Sequence, residues 1–291
     1  MKFSLRLATL VLPATMLMVS CSKDDKKDSG NNNEESSKLT TANVTAEAMF
    51  EDANTEIMVA TQQNALLKTG VRSEDGTVTT FGATGATGTN GCAEVVVTPT
   101  SDTWPKTVVI NYGTSGCTGV LGYTHKGKIT YVITKRFISP GSEITATFEN
   151  YSVNGYKIEG TYKVVNATSG IVPAITTQVI GGKITYPDGT WYTHSGLRNF
   201  QQTNGVQTTT ILEDDEFSVT GSSSITASDG RKLDAIIKTP LLKKAVCANI
   251  VSGTVDFTYN NVSGVWSYGT GDCDKIATIT VGNWVGTITL P

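Results

Sequence analysis

The chain has 291 residues, a formal net charge of −3 and a pI near 5.5. That balance lacks the clustered basic excess that nucleic-acid binding requires, so nucleic acid is not an expected partner. Glycine at 29 residues, many threonines and only 17% charged residues favour a turn-rich β protein.

Residues 1–20, "MKFSLRLATLVLPATMLMVS", place Lys2 and Arg6 ahead of an apolar segment interrupted by Pro13, the layout of a secretory signal peptide. A membrane-spanning helix needs about 20 uninterrupted apolar residues, which neither this segment nor any later one supplies. Met18-Val19-Ser20-Cys21 resembles a bacterial lipobox, with methionine where leucine is commonest. The resemblance implies a diacylglycerol thioether on Cys21 and cleavage just before it. The following "CSKDDKK" resembles the export signal of Bacteroidota surface lipoproteins, carried here by Lys23, Asp24 and Asp25. It implies a lipid-anchored protein of the outer membrane that faces the cell exterior. Residues 21–44 are the cysteine and a run of Ser, Asn, Lys, Asp and Glu with little apolar content, which reads as a disordered tether.

Residues 45–70 read as one helix, with Thr45 as N-cap, Glu47 in the first turn and Gly70 as the stop. Ala46, Met49, Phe50, Ala53, Ile57, Ala60 and Asn64 fall on one stripe, which predicts packing on a sheet. Residues 71–291 form the β domain. "KITYVITKRF" puts Ile129, Tyr131, Ile133 and Phe137 on one face, and "SEITATFENY" does the same with Ile144, Ala146 and Phe148. "GYKIEGTYKVV" alternates Tyr156, Ile158, Tyr162 and Val164 with polar residues. Turn signals at Ser139-Pro140-Gly141, Val153-Asn154-Gly155, Pro187-Asp188-Gly189, Thr203-Asn204-Gly205 and Ser228-Asp229-Gly230 separate the runs. The fold class is therefore all-β: a long antiparallel meander forming a sandwich, a curved sheet or an open barrel, with one N-terminal helix.

With Cys21 assigned to lipid, Cys92, Cys117, Cys247 and Cys273 remain, an even count in an exported chain. Two strand-like runs flank the turn Ser101-Asp102-Thr103-Trp104-Pro105, which sets Cys92 opposite Cys117 at the open end of a hairpin. A second hairpin, turning near Asn260-Asn261, sets Cys247 opposite Cys273. The endings Tyr112-Gly113-Thr114-Ser115-Gly116-Cys117 and Tyr268-Gly269-Thr270-Gly271-Asp272-Cys273 match as a degenerate internal repeat. The tether, helix and β domain together resemble Bacteroidota lipoproteins ending in "YGxGxCDxIATITV"-like segments, a family that offers no activity to carry over.

No catalytic residue, metal ligand or cofactor emerges. His125 in "GYTHKGK" and His194 in "TWYTHSG" lie in no ligand or nucleophile motif, and no G-x-S-x-G elbow accompanies the many serines. The run "FGATGATGTNG" reads as a loop before the first hairpin. Glu213-Asp214-Asp215-Glu216 and the pair Asp272 and Asp274 offer oxygen ligands for calcium, but solvated turns have the same composition. Trp104 at a hairpin tip, with Trp191 and Tyr192 adjacent on a strand, are the candidate ligand-binding residues, because sugar faces stack on such rings. Trp266 and Trp284 follow strand patterns and read as packing. The reading is a surface lipoprotein with a non-enzymatic binding or display role, its first expected ligand a glycan and then a host or matrix protein. The alternatives are a carbohydrate-active hydrolase and an accessory subunit of an outer-membrane uptake or envelope complex.

Overall fold

The computed structural model describes residues 29–64, 67, 79–81, 92–119, 121–208, 213–247 and 249–290. The segment expected to be a signal peptide, with Cys21 and Lys23-Asp24-Asp25, lies outside the described residues. Among the described residues a single helix, α1 (Ser29–Gln63), precedes fourteen strands. In chain order they are β1 (Thr79–Phe81), β2 (Ala93–Thr98), β3 (Lys106–Thr118), β4 (Thr124–Ile133), β5 (Glu143–Val153), β6 (Tyr156–Asn166) and β7 (Ala174–Thr185). There follow β8 (Trp191–Asn204), β9 (Glu216–Ala227), β10 (Lys232–Lys244), β11 (Ile250–Tyr259), β12 (Val262–Thr270), β13 (Ile276–Val281) and β14 (Trp284–Thr289).

Each strand pairs antiparallel with the next, so one sheet runs from β1 to β14 as a continuous meander. The turns account for the register. Asn154-Gly155 joins β5 to β6 with φ of 49° and 86°, and Asn260-Asn261 joins β11 to β12 with φ of 47° and 63°. Two successive left-handed residues make the tight turn whose twist suits paired strands, and asparagine and glycine tolerate it best. The alternation set by these turns buries Ile129, Tyr131, Ile133, Ile144, Ala146, Ile158, Tyr162 and Val164 on one face. Phe137 lies past the end of β4 and Phe148 is half-buried, both packed against that core.

The three geometries left open by the sequence reduce to one sheet curved around α1. Register shifts interrupt every pairing from β3–β4 to β11–β12, and each such bulge adds bend and twist. Gly160 (φ +115°) sits at one of them, where a Cβ would come within 2.7 Å of the Gly181 carbonyl oxygen, so the backbones meet only without a side chain. Among the described residues no ladder joins β1 to β14. The concave face meets α1 through Tyr112 on β3, His125 and Tyr131 on β4, Tyr162 on β6, Arg198 on β8 and Ser223 on β9.

The predicted stripe is buried in full, from Ala46 to Asn64. Its boundary differs from expectation: the helix begins at Ser29, not Thr45, so residues 29–44 belong to it rather than to a tether. The reason is tertiary. Leu39, Ala42 and Val44 are buried with Ser36, Thr40 and Asn43, and Asn43 Nδ2 donates to Ser223 Oγ at 3.0 Å. Too few apolar residues lie there to signal a helix by period, yet the curved sheet supplies partners to polar ones. The expected stop at Gly70 lies outside the described residues.

Both hairpin disulfides form, Cys92–Cys117 with Cα atoms 5.5 Å apart and Cys247–Cys273 at 5.2 Å. The meander places them at opposite ends of the strands. Cys92 and Cys117 flank the end that carries the β3–β4 turn, and Cys247 and Cys273 flank the β10–β11 end.

Candidate binding cavity on the helix face

Val44, Glu47, Ala48, Glu51, Asp52 and Thr55 recur at three- and four-residue spacing, which puts them on one face of α1. That face is one wall of a cavity of about 520 Å³. His194, Gly196, Arg198 and Phe200, alternate residues of β8, form the facing wall, joined by Val179, Val219, Leu241, Lys243, Tyr268 and Leu290. Leu121 and Val246, 57% and 58% exposed, lie where the cavity meets solvent. Volumes of roughly 300–1,000 Å³ with mostly apolar walls and a few fixed polar groups are those of small-molecule sites.

Polar groups lie on both the helix and the sheet walls. Arg198 Nη2 donates to Glu47 Oε1 in a close charged contact and to Ser223 Oγ at 3.3 Å, while Asn43 Nδ2 donates to Glu47 at 3.2 Å. Burial alone raises the Glu47 pKa, but Arg198, with His194, outweighs it and holds the carboxyl below the usual range. One turn on, Glu51 accepts from Tyr162 Oη at 3.1 Å, and burial pushes its pKa up. His194 is driven down to about 4, chiefly by burial, and is neutral at pH 7. Burial also lowers the Lys243 pKa, and its Nζ donates to the Cys247 carbonyl oxygen. The cavity thus combines apolar walls with an ion pair, a carboxyl biased toward its neutral form and an amine.

Beside it, at the C-terminal side of the same helix face, lies a second polar cluster. Asp52, Glu56 and His125 are buried, and each offers a ligand atom within 4.8 Å of the others. His125 Nε2 lies 2.7 Å from Asp52 Oδ2, and Tyr112 Oη donates to Glu56 Oε2 at 3.0 Å. No other group of this kind occurs among the described residues.

The residues singled out from the sequence do not converge. Trp104 sits in the β2–β3 turn, half-buried, with Lys106 Nζ 5.4 Å from its ring centre. Trp191 and Tyr192 begin β8 at the opposite end of the strands. Lys183 Nζ lies 4.8 Å above the Trp191 ring, and Tyr192 packs edge-on to Tyr186 at 5.6 Å. None of the three lines the cavity. The acidic run is tied into its turn: Asp215 accepts from Gln202 Nε2 at 2.7 Å and Asp214 from Thr208 Oγ1 at 2.6 Å. Asp274 accepts from the Ile276 amide at 3.0 Å, closing a turn. Sequence reasoning took α1 as packing alone and overlooked the acids between its apolar residues. The usable signal was Glu47, Glu51, Asp52 and Glu56, four acids within three helical turns of a segment predicted to be covered by a sheet.

No family model matches the chain, and neither a curated protein nor a solved structure matches it.

Proposed function

We propose that the chain is a lipid-anchored surface protein whose β domain binds a small amphiphilic ligand in the cavity between α1 and the concave sheet. The anchor rests on the lipobox-like Met18–Cys21 and the acidic signal behind it. The binding role rests on the cavity itself, whose apolar walls suit a hydrocarbon body and whose charged helix face suits a polar end. This replaces glycan as the first ligand to test, because Trp104 lies far along the strands from Trp191 and Tyr192 and they form no row. Hydrolysis is disfavoured: Glu47, Glu51 and Asp52 all project from one helix face, so they form no pair facing each other across a cleft.

The full-length chain, purified in detergent below its micellar concentration, is titrated with dansylated undecanoic acid. One saturable site is expected, and Ala48→Phe, which fills the cavity from the helix side, weakens it at least about tenfold while the melting temperature is kept. Absence of saturation, or affinity indifferent to Ala48→Phe, refutes the cavity reading. The anchor is tested separately: Cys21→Ser abolishes radiolabelling by palmitate and frees the protein from membranes, and a labelled, membrane-bound variant refutes it.

A further inference from the structure

Two residues on the cavity walls each hold a buried polar atom without a hydrogen-bond partner, and both atoms are acceptors. Asp52 lines the cavity from α1 and is 2% exposed. Its Oδ2 lies 2.7 Å from His125 Nε2, while its Oδ1 is buried and unpartnered. Either Nε2 or Oδ2 carries the proton between them, and in both cases Oδ1 keeps its lone pairs and has no hydrogen to give. His125 is not a lining residue, so the bonded side of the carboxyl turns away from the cavity and Oδ1 is the oxygen left to it.

The facing wall repeats the pattern. His194 is 2% exposed, and its Nδ1 is buried without a partner. The hydrogen bond between its ring and the Ser224 backbone favours the protonated form, so an N–H donates it. With Nδ1 unpartnered that N–H is on Nε2, and Nδ1 of the neutral ring is a bare acceptor. A native interior rarely leaves such atoms unmatched without a reason. The cavity's cations meanwhile already hold oxygens of the protein. Arg198 donates to Glu47 and Ser223, and Lys243 donates to the Cys247 carbonyl. An anionic head would instead meet Glu47, Glu51 and Asp52 along the helix wall.

We propose that the amphiphile bound here carries a hydrogen-bond donor at its polar end, a hydroxyl or a primary ammonium, and that Asp52 Oδ1 accepts from it. This rests on the cavity reading above and names the head that the walls select. The hydrocarbon body lies against Val179, Phe200, Val219, Leu241 and Leu290.

The test is competition against the dansylated probe, on the full-length chain under the same conditions. Dodecanol and methyl undecyl ether are isomers, and only the alcohol donates. Dodecylamine, protonated at pH 7, and dodecanoate complete the set. Dodecanol displaces the probe at a concentration at least about tenfold below that of the ether, the effect of one buried hydrogen bond. Dodecanoate ranks below both donors, and the order of dodecylamine and dodecanol tells ammonium from hydroxyl. Asp52→Leu, which removes both oxygens at similar volume, abolishes the alcohol's advantage, with folding checked by the near-ultraviolet dichroism of the unliganded protein. An ether that matches the alcohol on the wild type, dodecanoate ranking first, or an advantage that survives Asp52→Leu overturns the proposal. A probe that never saturates brings down the cavity reading and this inference with it, so the two failures are told apart. The wild-type ranking decides the matter even where the variant fails to fold.

Discussion

Arg198→Met tests whether the helix is held in the sheet by a charge pair, because it keeps most of the side chain's bulk and removes only the cation. In the native protein Arg198 and Glu47 are 11% and 20% exposed at their side chains, and the pair links β8 to α1. Without Arg198, Glu47 keeps a hydrogen bond from Asn43 but no salt bridge. Removing one partner of a fully buried pair costs about 3–5 kcal/mol, so this partly wetted pair belongs at the lower end, near 3. Glu47→Gln in the same background removes the stranded charge. The double variant therefore recovers much of the loss, with a coupling of about 1–3 kcal/mol.

The pH dependence separates this account from simple loss of packing. In the native protein the Glu47 pKa lies below its unfolded value, so the pair's contribution is present above the unfolded value and is lost as pH falls through the folded one. Arg198→Met reverses that sign, since burial then raises the carboxyl and acid relieves the penalty by protonating it. Loss of Arg198 also removes a cation that opposes protonation of His194, which works in the same direction. Urea unfolding at pH 7 and pH 5 measures both. A penalty below about 1 kcal/mol at pH 7, the level of a surface pair, or one unchanged at pH 5, refutes the reasoning.

His194 gives a second pH prediction. Its folded pKa of about 4 lies below an unfolded value near 6.5, so the unfolded chain takes up the proton first and stability falls as pH drops from 6.5 to 4. The linked loss is about 3 kcal/mol; His194→Gln flattens that limb of the stability curve, and a His194 imidazole titrating above pH 6 by NMR contradicts it. Cys117→Ser adds one free thiol, on Cys92, and opens a loop with 25 residues of separation, at a cost of about 3–4 kcal/mol by the chain-entropy model. A thiol count no higher than the native chain's or an unchanged urea midpoint counts against that pairing.

The meander was legible because its signals are local. Period-two runs such as Ile129, Tyr131 and Ile133 need only their neighbours to be read, and turn pairs such as Asn154-Gly155 fix where each run reverses. The disulfides followed from symmetric spacing about those turns. The helix's first half was not legible, because residues 29–44 are stabilised by partners far along the chain, Ser223 for Asn43 and Arg231 for Glu35. The polar clusters were hidden for the same reason. His125 lies 73 residues from Asp52, and Arg198 lies 151 from Glu47, so only the curvature of the sheet brings each pair together. The aromatics drew attention because hairpin tips and strand starts are visible in sequence, while the cavity wall comes from alternate residues of β8 that carry no such signal.

The acids of α1 are harder to explain as stabilisers than as working parts. Apolar side chains of similar volume in a well-packed interior are often as stable as a buried ion pair, or more so. The stripe from Ala46 to Ala60 already provides such packing. Yet each acid receives a different partner from a different strand: Arg198 of β8 for Glu47, Tyr162 of β6 for Glu51, His125 of β4 for Asp52 and Tyr112 of β3 for Glu56. Four different strands thus each set a polar side chain against one of these acids, and the first three acids also line the cavity. A sheet that needed only a core could meet α1 with the valines and isoleucines found elsewhere on its concave face. Polar side chains set against those acids, strand by strand, are what a site on the helix requires.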